Sequence, residues 1–401
     1  MDNHGVQTIV GVLICLVLLF GVNKLEKMEQ INVAWEQNKT SNSEQDKKAS
    51  KTEETTAEPE TTKAPANLIK KLVRKGYTQL DAYKNVKKAT DDESFNYILS
   101  FTGDCLLATN EGQYYANCFD EVANREEPSY FFAKTSKFFK NDDFTLVDCE
   151  NVFSDSTNLT VRDKGQYSNP GIEAYWFKSK ADNAKIFTAG GVEMVSIANN
   201  HINDYNEQGH KDTQDALDAA GVLWGEAGKI VYDEKNGYKL GIICMTMYGT
   251  YEVDAVKEAI AEASENSDFQ IVYFHGGEEA VHTAETWKIE ACHQLVDAGA
   301  DLVIGDHPHV LQPMEQYNGA TIVYSLGNFI FGGNRHPENR TAIYQHAITI
   351  RNGKMVSQSY KLIPCYVFVG DMNNWQPDVI KDENEKQAVL DFMHGQRSLP
   401  Y

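Results

Sequence analysis

Residues 301–315 read DLVIGDHPHVLQPME, and this stretch decides the fold class. Leu302 to Ile304 is a short apolar run of the kind that forms a strand buried on both faces. It follows residues 286–298, where Ile289, Cys292, Leu295 and Val296 share one helical face and Gly299 supplies the stop. Helix followed by buried strand is the repeating unit of an α/β domain. The strand runs straight into Gly305, Asp306, His307, Pro308 and His309. In an extended segment, residues two apart project to the same side, so both imidazoles are expected to reach one ion while Pro308 stiffens the backbone between them.

Working outward, the same arrangement recurs. Tyr97 to Phe101 leads through Thr102 and Gly103 to Asp104, and Met194 to Ala198 leads to Asn199, Asn200 and His201. Gln270 to Phe274 ends at His275, followed by Gly276, Gly277 and Glu278. Further strands are expected at 239–245 and 321–325, and a helix at 207–220 that stops at Gly221. The alternation predicts an α/β domain with a largely buried parallel sheet, and parallel neighbours would gather all four sets of polar residues at the carboxyl edge of that one sheet. Taken singly each set has an ordinary reading: Gly-Asp as a turn, Asn200 and His201 as a helix cap, His275 beside glycines as a plain loop. Four in one chain make a metal site the better reading.

Mixed Asp, Glu, Asn and His donors suit manganese, iron or zinc. There are more of them than a single tetrahedral zinc takes, so one or two ions are expected, two if a group bridges them. The chain has 401 residues, 42% of them hydrophobic, enough for a large core. With 37 basic and 58 acidic residues its formal charge is −21, which excludes non-specific nucleic-acid binding. Any anionic partner must meet a local basic patch or a bound cation. The seven cysteines, with no CxxC spacing, read as small buried hydrophobes. The aromatic cluster Tyr130, Phe131, Phe132, Phe138 and Phe139 reads as helix packing, and Leu326 and Phe329 as ordinary core residues, with Ser325 and Asn328 as supports for the site. No Gly-rich phosphate cradle is present, so an ATP-driven step would belong to a partner.

Residues 6–22 are almost wholly apolar and, at about 1.5 Å per residue, reach roughly 25 Å, the length of a short membrane anchor. Lys24 and Lys27 follow this run and no Lys or Arg precedes it, which on the positive-inside rule points the domain to the cytoplasm. Residues 38–66, rich in Thr, Glu, Lys, Ser and Ala, read as a disordered stalk, and a stalk favours an extracellular domain on a single-pass anchor. A lead-in helix is expected at 67–93, the working domain at 94–332, and completing strands and a tail at 333–401.

The run from Val195 to Tyr205, VSIANNHINDY, together with 301–315 and IVYSLGNFIF from Ile322 to Phe331, resembles the CapA-type poly-gamma-glutamate capsule-biosynthesis proteins. That family is similar to the calcineurin-like metallophosphoesterases, and the resemblance implies a layered α/β/β/α sandwich of metallophosphoesterase type with a metal site at a sheet edge. Carried across, it implies that Asp104, Asn200, His275, His307 and His309 are metal ligands, and that Glu150 and Asn151 lie on a segment giving a ligand or a supporting carboxylate. It implies His201 as the residue that stabilises or protonates the reacting group, with Asp204 and Glu278 orienting neighbouring histidines. Leu106 stands where the phosphoesterases carry a histidine two residues after the first aspartate, Asp306 where many relatives have another histidine, and Gly277 where an aromatic is frequent nearby. Two functions stay open: a membrane-anchored assembly or export subunit that grips the anionic polymer or its synthase, and an extracytoplasmic metal-dependent hydrolase of a phosphoester or related surface-polymer bond.

Overall fold

The computed structural model describes residues 94–160, 175–333 and 335–401. The expected anchor, stalk and lead-in helix lie outside the described residues. Among those described, no helix is long and apolar enough to cross a membrane.

In chain order the elements are β1 (Ser94–Cys105), β2 (Thr109–Asn110), α1 (Phe119–Arg125), α2 (Ser136–Lys140), β3 (Phe144–Cys149), β4 (Val152–Phe153), β5 (Phe177–Ser179), α3 (Lys185–Gly190), β6 (Met194–Ser196) and α4 (Asn206–Ala220). There follow β7 (Leu223–Gly225), β8 (Ile230–Lys235), β9 (Tyr238–Thr246), α5 (Val253–Ser264), β10 (Phe269–His275), α6 (Thr286–Asp297), β11 (Leu302–Asp306), β12 (Leu311–Tyr317) and β13 (Ala320–Leu326). The chain closes with β14 (Arg340–Arg351), β15 (Lys354–Tyr366), β16 (Asp378–Val379) and α7 (Glu383–Met393). Helices α3 and α4 stop at Gly191 and Gly221, both with positive φ, and α7 begins at Asp382, whose carboxylate accepts from the amides of Asn384 and Glu385.

These described residues form two compact units, one of 94–97 with His346–Lys361 and one of Ile98–Gln345 with Leu362–Tyr401. The smaller holds the end of a hairpin whose Asn352 and Gly353 both have positive φ, with His346 bonded to Gln358. Every candidate site residue is in the larger.

A seven-stranded sheet runs β16-β15-β14-β1-β3-β6-β7, a six-stranded sheet β12-β13-β11-β10-β9-β8, and a small third sheet β2-β5-β4. Strands β1, β3, β6 and β7 are parallel, as are β9, β10, β11 and β13. The expectation of one sheet is therefore corrected: the four sets of polar residues end strands of two sheets, β1 and β6 in one, β10 and β11 in the other. Strands buried on both faces look alike whether a helix or a second sheet covers them, so an apolar run does not report which sheet it joins.

Each sheet has its own helical cover. Phe119, Val122, Phe139, Phe187 and Leu217 from the first four helices pack with Val147 and Val195 of the first sheet, and Val256, Ile260, Cys292 and Leu295 from α5 and α6 pack with Val272, Phe274 and Val303 of the second. Phe131 and Phe132 are in the first core, as the packing reading of that cluster expects. On β10, Val272 and Phe274 face the helices, while the intervening Tyr273 sends its hydroxyl to the Thr102 carbonyl of β1, 2.7 Å away. The architecture is a mixed α/β fold of several sheets, consistent with an α/β sandwich. The six described cysteines are all unpaired and buried.

Candidate metal centre

Parallel pairing sets the first half of the site. Asp104 at the end of β1 lies beside Asp148 of β3, and Asp148 beside Ser196 of β6. Just past β3 comes Glu150, and past β6 come Asn199, Asn200 and His201. Asn199 donates to the Asp148 carboxylate and to the Cys149 carbonyl, 2.8 Å, and accepts from the His201 amide at 3.0 Å, which fixes the turn carrying Asn200. The second half comes from β10 and β11, where His275 and Asp306 are register neighbours.

The halves meet at His275, which is fully buried. Its Nδ1 donates to Asp306 Oδ1 at 2.9 Å, so Nε2 presents a lone pair. That lone pair faces Asn200 Oδ1 at 2.7 Å and His307 Nδ1 at 2.9 Å. Burial pushes His275 down to about 3, so it is not an imidazolium at neutral pH. The ring nitrogen and the amide oxygen thus converge as two acceptors, an arrangement satisfied by a cation or by an Nδ1–H of His307.

Glu150 is the second sign. It is 1% exposed, yet among the described residues nothing donates to either carboxylate oxygen. Its Oε1 lies 3.8 Å from Nε2 of His201, of His275 and of His309. Donors held by one ion at about 2.0–2.2 Å stand about 3–4 Å from one another. Two groupings bring their donor atoms within 4.8 Å of each other: Glu150 with His307 and His309, and Asp104 with Asp148, His275 and Asp306. The residues fit a divalent metal, and the cluster could hold one.

The electrostatics agree. Burial first, and the charge of neighbouring carboxylates second, raise Asp104, Asp148 and Glu150 above the usual carboxylate range, while burial pushes Asp306 up to about 7. His307 is pulled down by burial and by His275. For His309 burial pulls down too, but the adjoining Asp104 carboxylate together with Glu279 and Asn328 outweighs it and the net direction is up. Four carboxyl groups sealed together repel unless protonated or neutralised by a cation.

Of the residues expected at the site, the structure brings together Asp104, Glu150, Asn200, His201, His275, Asp306, His307 and His309. Asp204 accepts from His201 Nδ1 at 2.8 Å and from the Phe177 amide at 2.8 Å, the orienting contact expected of it. Asn151 accepts at Oδ1 from the Leu107 amide, 2.8 Å, and donates to the Val152 carbonyl, 3.2 Å. Glu278 is exposed, its amide bonded to Glu285, whereas the charge of its neighbour Glu279 is felt by Glu150 and His309. The extended form expected of 307–309 is corrected: φ is 90° at His307 and 59° at His309. Both imidazoles reach the cluster through this left-handed backbone, which non-glycine residues adopt at a cost and which is concentrated at functional sites. Asp148 was not among the expected residues, although a strand of apolar residues ending in a carboxylate is the signal that marked Asp104.

Fold and site together define a mixed α/β protein, consistent with an α/β sandwich, whose strand ends from two sheets build a buried carboxylate and histidine cluster that could hold a metal ion. Residues 98–333 match the family model described as bacterial capsule synthesis protein PGA_cap, and the chain belongs to that family. It is 30% identical over 236 residues to the capsule biosynthesis protein CapA of Bacillus anthracis, a match covering 53% of this chain and 56% of that protein. It is 26% identical over 313 residues to the PGA biosynthesis protein CapA of Bacillus subtilis (73% and 76%), and 25% identical over 221 residues to a probable polyglutamine synthesis accessory protein of Mycobacterium tuberculosis (46% and 58%).

Proposed function

We propose that this chain is an accessory protein of polyglutamate capsule synthesis or export, and that its sandwich is the α/β/β/α type of the metallophosphoesterases, used here to hold one or two ions of manganese, iron or zinc. The observation that carries the reading is Glu150, buried without a hydrogen-bond donor and 3.8 Å from three imidazole nitrogens. The naming of the relatives supports the capsule setting. In this reading residues 6–22 anchor the chain in the cell membrane with the domain outside, next to the membrane subunits of a polyglutamate synthase or exporter. Bound cations let a chain of charge −21 approach an anionic polymer that its surface would otherwise repel. The ligands would be Asp104, Glu150, Asn200, His275, His307 and His309, with Asp306 holding His275 in its tautomer.

The test is complementation of a strain lacking the gene, reading the polymer released. Glu150→Gln keeps the shape and removes the charge; it is expected to lower output at least tenfold, and wild-type output from this variant would sink the reading. A second function, hydrolysis of a phosphoester or related surface-polymer bond, is favoured by His201. Its Nδ1 is tied to Asp204 while Nε2 points at Glu150, the disposition of a histidine able to pass a proton to a leaving group. A metal, when bound, would supply Lewis-acid polarisation of the bond attacked. The two readings part on one comparison: the hydrolase fails with His201→Ala, whereas the assembly subunit survives that change and fails when residues 6–22 are deleted.

A further inference from the structure

Three imidazoles of the cluster are each faced by an aromatic ring from a different segment. Phe177 of β5 meets His201 with ring centroids 4.7 Å apart, Tyr248 after β9 meets His307 at 5.1 Å, and Phe331 after β13 meets His309 at 4.9 Å. Beyond them lies a further layer of tyrosine. Tyr175 stacks on Phe177, centroids 6.0 Å apart and planes 13° from parallel. The Tyr115 hydroxyl stands 3.7 Å from where a Cβ on Gly332, the residue after Phe331, would lie. Tyr115, Tyr175 and Tyr248 are 53%, 44% and 38% exposed, whereas Tyr97, Tyr205, Tyr273 and Tyr344 are fully buried, so it is at the cluster that tyrosine rings are left open to solvent.

Rigid aromatic faces give contact area at little cost in conformational freedom, which makes such a rim a binding surface. The charges beside it are already paired. Lys178 lies 3.9 Å from the Glu111 carboxylate and donates to the Ser156 carbonyl at 2.8 Å, while Glu111 also accepts from the Tyr205 hydroxyl at 2.8 Å. Close to Tyr115, Arg125 donates to Asn117 Oδ1 at 2.6 Å and to Glu126 at 3.2 Å. A charged chain of either sign therefore finds these partners taken. A pyranose ring suits the rim better: its C–H groups, slightly positive, lie against the negative face of an aromatic ring, and its hydroxyls bond to phenols at the edge. Exposed Glu279, whose charge reaches Glu150 and His309, offers those hydroxyls a further acceptor. We propose that Tyr115, Tyr175 and Tyr248 form a binding site for a neutral saccharide chain at the mouth of the carboxylate and histidine cluster. The proposal takes only its location from the reading above, because the rim is built of residues that hold no ion and saccharide binding there needs none. It gives the domain a second polymer besides the anionic one.

The test is calorimetric titration of the full-length protein, held in a detergent whose headgroup is not a sugar, with cellohexaose and with chitohexaose, each with EDTA and again with Mn2+. Saturable binding of at least one oligosaccharide is expected under both conditions. Tyr115→Ala/Tyr175→Ala is expected to weaken it about fivefold or more, the loss typical of a tyrosine that anchors a ligand. Tyr115→Phe/Tyr175→Phe keeps the ring faces and is expected to keep most of the affinity, and Val356→Ala, at an exposed apolar residue of β15, is expected to bind as wild type does. Both tyrosines are exposed, so the alanine variant should fold, which its thermal melt checks. Failure of both oligosaccharides to bind overturns the proposal, as does equal affinity in wild type and the alanine variant. Poly-γ-glutamate and decalysine are titrated alongside. If either binds and is weakened by the alanine change while the oligosaccharides are not, the rim belongs to a charged chain and the proposal falls. Saccharide binding that persists in EDTA, in a protein that takes up no Mn2+, upholds the rim and sinks the metal reading.

Discussion

Glu150 meets three imidazoles and no hydrogen-bond donor, and its neighbours Asp104, Asp148 and Asp306 are as deeply buried as it is. Because burial pushes Asp306 up to about 7, the metal-free folded protein keeps a proton there that the unfolded chain, titrating near 4, has released. The stability that proton contributes is complete below about pH 4 and is lost as pH rises through about 7. Thermal melts of the metal-free protein across that window should therefore show wild type losing ground to Asp306→Asn, which cannot ionise; parallel profiles would contradict this. Under the proposed metal binding, the ion would take the place of the proton, so binding should release protons and tighten as pH rises, which calorimetry in buffers of different ionisation enthalpy reads directly. Asp306→Ala, which frees the His275 ring, should weaken metal binding by about 10–100-fold. Most of these residues were legible because each follows an apolar run. Asp148 was not, because its run, Phe144 to Cys149, is interrupted by Thr145 and followed directly by the polar pair Glu150 and Asn151.

At the scale of elements, the site depends on how closely the two sheets approach at Gly103 and Gly327. Gly103→Ala would set a methyl group 1.8 Å from a backbone oxygen that no rotamer change relieves. It should cost about 1–3 kcal/mol or more in chemical denaturation and weaken metal binding with it; a variant of wild-type stability would show that the approach is looser than the structure has it. The expected strands at 97–101, 194–198, 239–245, 270–274, 302–304 and 321–325 all have counterparts, and both well-signed helices stop where glycine predicts. What the apolar runs did not reveal were the antiparallel strands, yet the sequence marks them. Asn236-Gly237, Asn318-Gly319 and Asn352-Gly353 each join two strands with positive φ at both positions, the requirement of a primed two-residue hairpin turn. Read as hairpins, those three pairs would have placed β8, β12 and the β14–β15 pair. The division into two sheets and the left-handed backbone at His307 and His309 depend on tertiary contacts, which no local pattern carries.

For the molecule as a whole, a chain of charge −21 with four carboxyl groups buried close together should, if the proposed site binds metal, be more stable with cations than without. One ion present at a hundred times its dissociation constant should add about 2.7 kcal/mol to stability, so a chelator should lower the unfolding midpoint and added Mn2+ or Zn2+ restore it. The central claim, that facing strand ends of two sheets assemble a metal centre, is tested most directly by the metal content of the purified full-length protein beside His307→Ala/His309→Ala, measured by inductively coupled plasma mass spectrometry after expression with manganese, iron and zinc supplied. The account predicts near-stoichiometric metal in wild type and its loss in the double variant; metal-free wild type, or equal metal in both, would contradict it.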